Sequence, residues 1–144
     1  MAEYDRALKL TQKKIPDLAG AHILLEQAYR NGDARAAYAL GTWALHGAEP
    51  YVKRNLKHAV RLLKEAASAG VREARYDLAV CYQRGEGVAK NESRAFELYL
   101  SAALQGDVDS IVEVARCFKY GYGVERNNRA FKVFRDHAEA IDQS

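Results

Sequence analysis

The chain has 144 residues and a mass of 16.1 kDa, with 22 Lys and Arg against 19 Asp and Glu, a formal charge of +3 and a pI near 8.8. Its 49% hydrophobic and 28% charged residues exclude the weakly hydrophobic, highly charged corner of disordered chains, and the charge excess is too small to indicate nucleic-acid binding. No run approaches the 18 apolar residues of a membrane span, and Met1-Ala-Glu-Tyr-Asp-Arg6 lacks a signal peptide's apolar core, so a cytoplasmic protein is expected.

Only Pro16 and Pro50 interrupt a chain rich in helix formers, so an all-α fold is predicted. Residues 3–14 read as a degenerate first helix of a partial unit over 1–32. Ile15-Pro16-Asp17, followed by Ala21, Leu24, Leu25, Ala28 and Gly32, reads as that unit's second helix. Gly32, Gly70 and Gly106 each close an Ala-rich helical run, as C-cap glycines do, at spacings of 38 and 36. Behind them recur a small residue (Ala36, Ala74, Ser110), then Tyr38, Tyr76 or Val112, then Leu40, Leu78 or Val114. Next come Gly47, Gly85 and Gly121 and a turn ending in Val52, Val88 or Val124, the first turn being two residues longer.

Asn55, Asn91 and Asn127 are then placed to cap a second helix. That helix carries Ala59, Leu62, Leu63, Ala66 and Ala67 in the first full repeat and Ala95, Phe96, Leu98, Tyr99, Ala102 and Ala103 in the next. The third keeps only Ala130-Phe131 and Val133-Phe134, which suggests a loop one residue shorter. Helices are predicted near 3–13, 17–30, 33–46, 55–69, 71–84, 91–105, 107–120 and 128–140. The pattern describes an α-solenoid of about three and a half antiparallel helix-turn-helix repeats, read as one domain over 1–144 with repeats at 33–70, 71–106 and 107–144.

The segment from Ala74 through Gly85-Glu-Gly87-Val88 to Ala102-Ala103-Leu-Gln-Gly106 resembles the Sel-one-like repeat family, a branch of the tetratricopeptide-like superfamily. The Gly-x-Gly-Val turn and the Ala-Ala-x-x-Gly ending carry the likeness, well over 32–136 and partially over 15–31. Three departures stand out: the first repeat lacks the Gly-x-Gly turn, Asn55, Asn91 and Asn127 stand where the family commonly has Asp, and His137 falls where a small Ala is expected. The resemblance implies a right-handed tetratricopeptide-like superhelix and a scaffold, adaptor or inhibitory (immunity-type) partner that binds another protein. It supplies no catalytic residues.

Ala74, Leu78 and Tyr82 share one stripe at i, i+4 and i+8 and face the core. By similarity to tetratricopeptide units, the first helix of each pair lines a concave strip. That strip carries Arg35, Tyr38, Thr42, Leu45 and His46, then Glu73, Tyr76, Val80, Gln83 and Arg84, then Asp109, Val112, Arg116, Lys119 and Tyr120. Aromatic and Arg side chains are common interface anchors. The mixture, positive at Arg84, Arg116 and Lys119, suits a partner segment with acidic and apolar side chains. Tyr38 and Tyr76 fit packing between repeats equally well.

A second positive run, Lys53-Arg54…Lys57-His58…Arg61…Lys64, reads as a solvated outer face or as a contact for nucleic acid or an anionic surface, though no aromatics interleave to stack bases. The Gly-x-Gly turns follow a helix rather than a strand, so they do not read as phosphate loops. The four histidines (His22, His46, His58, His137) lie in different units, none at metal-ligand spacing. Cys81 and Cys117 lie 36 apart at one repeat position, too far for a disulfide between stacked helices, and read as reduced packing residues. Neither an enzyme's constellation, a cofactor, a metal nor a small-molecule substrate is indicated.

Overall fold

The computed structural model describes residues 2–13 and 16–143, so Ile15 of the expected second-helix start lies outside the described residues. Among the described residues eight helices follow one another: α1 (Glu3–Thr11), α2 (Leu18–Arg30), α3 (Ala34–His46), α4 (Leu56–Ser68), α5 (Arg72–Arg84), α6 (Glu92–Leu104), α7 (Val108–Tyr120) and α8 (Asn128–Asp142). Each bound lies within two residues of its sequence expectation. Beyond the helices, an isolated antiparallel bridge joins Ala48 to Val52 in the longer first loop. The chain forms two compact units, Met1–Val71 with α1–α4 and Arg72–Ser144 with α5–α8. Within them α1 packs on α2, α3 on α4, α5 on α6 and α7 on α8, with α2 also against α3 and α6 against α7.

Helix starts and stops recur because the same local chemistry recurs. At the ends of α2, α4 and α6, Gly32, Gly70 and Gly106 adopt positive φ of 84°, 94° and 88°. Their N–H groups donate to Tyr29, Ala67 and Ala103 carbonyls, and the next residue's N–H reaches back to Ala28, Ala66 and Ala102. This paired closure satisfies two of the carbonyls that a helix end leaves open. Asn55, Asn91 and Asn127 then cap α4, α6 and α8, their side-chain oxygens accepting from the amides of His58, Arg94 and Ala130. The backbone N–H of the same three residues donates to Ala44, Tyr82 and Phe118 carbonyls, folding each loop onto the preceding helix.

The first unit's core gathers Ala7, Ala21, Leu25, Ala28, Ala36, Leu40 and Leu62, with Leu24, Tyr29 and Trp43 packed at its edge. The second unit buries Ala74, Leu78, Leu98, Tyr99, Ala102, Ile111 and Val114. Small residues dominate the facing rows, which lets paired helices approach closely. Tyr99 is the largest fully buried side chain, and its hydroxyl donates to Gln83 Oε1 at 2.8 Å, meeting the demand of a buried polar group.

One sequence expectation is corrected at α8. Asn127 stands as far beyond Gly121 as Asn91 does beyond Gly85, so the third loop is not shortened and α8 begins in the register of α6. Buried Ala138 takes the place of Ala102, while exposed His137 corresponds to Ser101 and does not occupy the small-residue position. The pair Ala130-Phe131 imitates Ala95-Phe96 one residue early. In the true register Phe134 replaces Leu98 and stacks on Phe118 at 5.7 Å. Exposed Arg135 and Glu139 stand where α6 buries Tyr99 and Ala103, giving α8 a polar outer face.

Candidate protein-binding site

Five positions on α3, α5 and α7 make up the strip expected from the sequence, and all fifteen side chains are at least partly open to solvent. Arg35, Glu73 and Asp109 are exposed at the first position. Arg35 is held locally, 2.9 Å from Asp33 and 3.8 Å from Asp5, with its guanidinium over the Tyr4 ring at 4.3 Å. Glu73 pairs with neighbouring Arg72 at 3.1 Å.

At the second position Tyr38 and Tyr76 are half-buried, whereas Val112 is 43% exposed. The Tyr76 ring meets Tyr99 edge-on at 5.6 Å. Burial, and then the carboxylates of Glu113 and Asp109, push the Tyr76 hydroxyl above its ordinary range, so its neutral form is held against α7's acidic groups. Packing is thus part of what Tyr76 does. At the third position Thr42 is half-buried, its hydroxyl donating to the Ala39 carbonyl at 2.8 Å; Val80 is half-buried, and Arg116 pairs with Glu113 at 3.1 Å.

Leu45 and Gln83 are half-buried at the fourth position and Lys119 is exposed. His46, Arg84 and Tyr120 are exposed at the fifth, with Arg84 4.0 Å from Glu86. The predicted positions are accordingly a mixture of half-buried and exposed side chains on α3 and on α5, and exposed at every one on α7.

The open end of α7 continues into residues that the helical spacing alone did not include. Tyr120 and Tyr122 lie with ring centroids 5.5 Å apart and are 50% and 38% exposed. The Lys119 ammonium sits 5.3 Å from the Tyr120 ring and 5.2 Å from Phe131, and Arg135 covers Phe131 at 5.3 Å. The available signal was Tyr122 itself, standing in the third turn where the second has Glu86. The turn holds its shape through Gly123, at φ 69°, where a Cβ would run into the Glu92 carbonyl at the start of α6.

The second positive run is partly engaged in structural contacts. Arg54 Nε donates to the Leu45 carbonyl at 3.2 Å, and Arg126 repeats that bond to Lys119 at 3.2 Å, marking it as part of the repeat's loop closure. Arg61 Nη2 lies 2.7 Å from His58 Nδ1. Cys81 and Cys117 are buried free thiols, and desolvation pushes each up to about 11. Among the described residues no group of His, Cys, Asp and Glu is placed to hold a metal ion, and no helix is long and apolar enough to cross a membrane.

A family model described as the Sel1 repeat matches residues 10–33, 34–71, 72–107 and 108–142. A solved protective antigen of uropathogenic Escherichia coli strains, displaying an SLR fold, is 28% identical over 96% of this chain and 30% of its own, with a TM-score of 0.89. A Sel1 repeat protein from Oxalobacter formigenes is 30% identical over 94% of this chain and 39% of its own, with a TM-score of 0.81. Among curated proteins, the chitin synthase regulator SKT5 of Saccharomyces cerevisiae is 34% identical over 71 residues. That match takes in 49% of this chain and spans only 10% of SKT5. Sel1 repeat proteins generally mediate protein–protein interaction and are generally non-catalytic. With four successive matches over residues 10–142, the first on α2 and the others on the hairpins α3–α4, α5–α6 and α7–α8, this chain belongs to the Sel1 repeat family.

Proposed function

We propose that this chain is a non-catalytic interaction module, an adaptor or an inhibitory partner, that holds an acidic and apolar segment of another protein on the α5 and α7 faces of its second unit. The observation that carries this reading is the open end of α7, where Lys119, Tyr120 and Tyr122 expose aromatic area beside positive charge. Aromatic rings bury much surface at little entropic cost, and an adjacent ammonium selects for carboxylates. Val112 and Arg116 extend the same character along the helix. The two free buried thiols suit a reducing compartment, in keeping with the cytoplasmic location expected from sequence.

The test compares capture of a partner from native lysate by the wild type, by Lys119→Glu/Tyr120→Ala, and by Lys57→Glu/Arg61→Glu, at two salt concentrations. A protein retained by the wild type and by Lys57→Glu/Arg61→Glu but lost by Lys119→Glu/Tyr120→Ala is the expected result. Capture of nucleic acid that fails only with Lys57→Glu/Arg61→Glu and falls steeply with salt would overturn it in favour of the outer basic face.

A further inference from the structure

The repeats are built alike, so a position filled in one and empty in another shows what shape and chemistry the empty one accepts. In the second unit Arg75 lies between α5 and α6, its Nη1 donating to Ser101 Oγ and to Gln105 Oε1, each at 2.8 Å. The first unit has Ala37 at the Arg75 position, and Glu65 and Ala69 where Ser101 and Gln105 stand. Where the guanidinium would sit there is a cavity of about 270 Å3, open to solvent and lined by Tyr29, Asp33, Ala37, Glu65 and Ala69 among others. The third repeat fills the place with apolar bulk, buried Ile111 and half-buried Ile141.

This volume falls just below the roughly 300–1,000 Å3 of small-molecule sites and suits a single side chain. Its chemistry has moved toward a cation. The neutral acceptors of the second unit are replaced by the Glu65 carboxylate, which the Tyr29 hydroxyl holds at 2.8 Å. Asp33 is already committed to Arg35 and to capping α3, which leaves Glu65 as the carboxylate for an incoming group. We infer that this cavity receives an arginine side chain presented by a partner protein, its guanidinium on Glu65 as Arg75 sits on Ser101 and Gln105. A planar donor fork matches a carboxylate, and the Ala37 and Ala69 walls receive the methylene stem. The inference does not depend on the strip of α3, α5 and α7, since every lining residue lies off that strip.

The probe is N-acetyl-arginine amide, titrated into the isotope-labelled full chain while backbone amide shifts are followed. Saturable shifts at Gly32, Ala34, Ala37 and Ala69 are expected, with a dissociation constant on the order of millimolar for so small a ligand. Ala37→Arg supplies the guanidinium from within and is expected to abolish the response. Glu65→Gln, which leaves the cavity open, should weaken binding about tenfold or more, as loss of a charge-assisted bond does. Absence of saturable shifts at those amides, or an unchanged response in Glu65→Gln or in folded Ala37→Arg, overturns the proposal. So does tighter binding of N-acetyl-lysine amide than of the arginine probe.

Discussion

Cys81 and Cys117 show how one residue type at one repeat position acquires a shared chemical character. Both thiols sit in the tight interior of the second unit, and removing them from water favours the neutral form, so each is pushed from about 9 up to about 11. In the unfolded chain the same thiols ionise at the lower value. Their contribution to stability is therefore fully present below about pH 9 and is lost as pH rises through about 11. Urea midpoints measured at pH 8, 9, 10 and 11 should hold between the first two and then fall, and Cys81→Ala/Cys117→Ala should flatten the fall. A midpoint unchanged up to pH 11 would count against thiol burial as its source. At pH 8 both thiols should resist an aromatic disulfide reagent in the native protein and react at once in urea.

Glycines separate in the same way by surroundings rather than by identity. Gly32 has a positive φ of 84° but nothing near the space a Cβ would fill. Gly32→Ala should cost only the left-handed strain, roughly 1–2 kcal/mol. Gly123 adds a collision with the Glu92 carbonyl, so Gly123→Ala must move α6 or the turn and should cost distinctly more. Thermal denaturation of the two variants checks the order, and equal shifts would show that the turn yields without cost.

At the scale of elements, the caps make a prediction that packing does not complicate. Asn91 contributes a side-chain bond to Arg94 and a backbone bond to Tyr82, and only the first is lost in Asn91→Ala. A loss of about 1 kcal/mol is expected from urea denaturation. Asn91→Asp should recover it, because a carboxylate accepts the same bond and is favoured at a helix N-terminus. Recovery by Ser but not by Asp would assign the effect to something other than the cap.

Elements of this kind were legible from sequence because capping, closure and small-residue spacing are local signals that repeat. The apolar register within α8 departs from expectation for an equally local reason: Ala130-Phe131 imitates Ala95-Phe96 one residue early and so suggests a shortened loop, although Asn127 caps α8 where expected. The strip was legible as helix faces, but its gradient of exposure was not. That Tyr76 leans on Tyr99 while Val112 stands open depends on which side chains neighbouring helices bring alongside, and periodicity within one helix carries no record of that. Tyr122 and Phe131 were missed as companions of Lys119 because they come from a turn and from the next helix. The cavity at Ala37 appears only when the filled and empty repeats are compared in three dimensions.

For the whole molecule, the question is whether the first and second units unfold together. Repeat arrays gain stability from nearest-neighbour terms as well as from each repeat's own packing, so unfolding in one step or in two separates one domain from two. The sole tryptophan, Trp43, lies in the first unit against His22, with ring centroids 6.0 Å apart, and reports on that unit. Leu98 is buried in the second unit, and Leu98→Ala should cost about 2–5 kcal/mol there. If residues 1–144 unfold as one domain, the urea midpoint followed by Trp43 emission will fall in Leu98→Ala by as much as the midpoint followed by far-ultraviolet circular dichroism. If the units unfold separately, Trp43 emission will keep its wild-type midpoint while the dichroism curve splits into two steps. Leu63→Ala, buried in the first unit, calibrates the fluorescence by moving the Trp43 transition under either outcome.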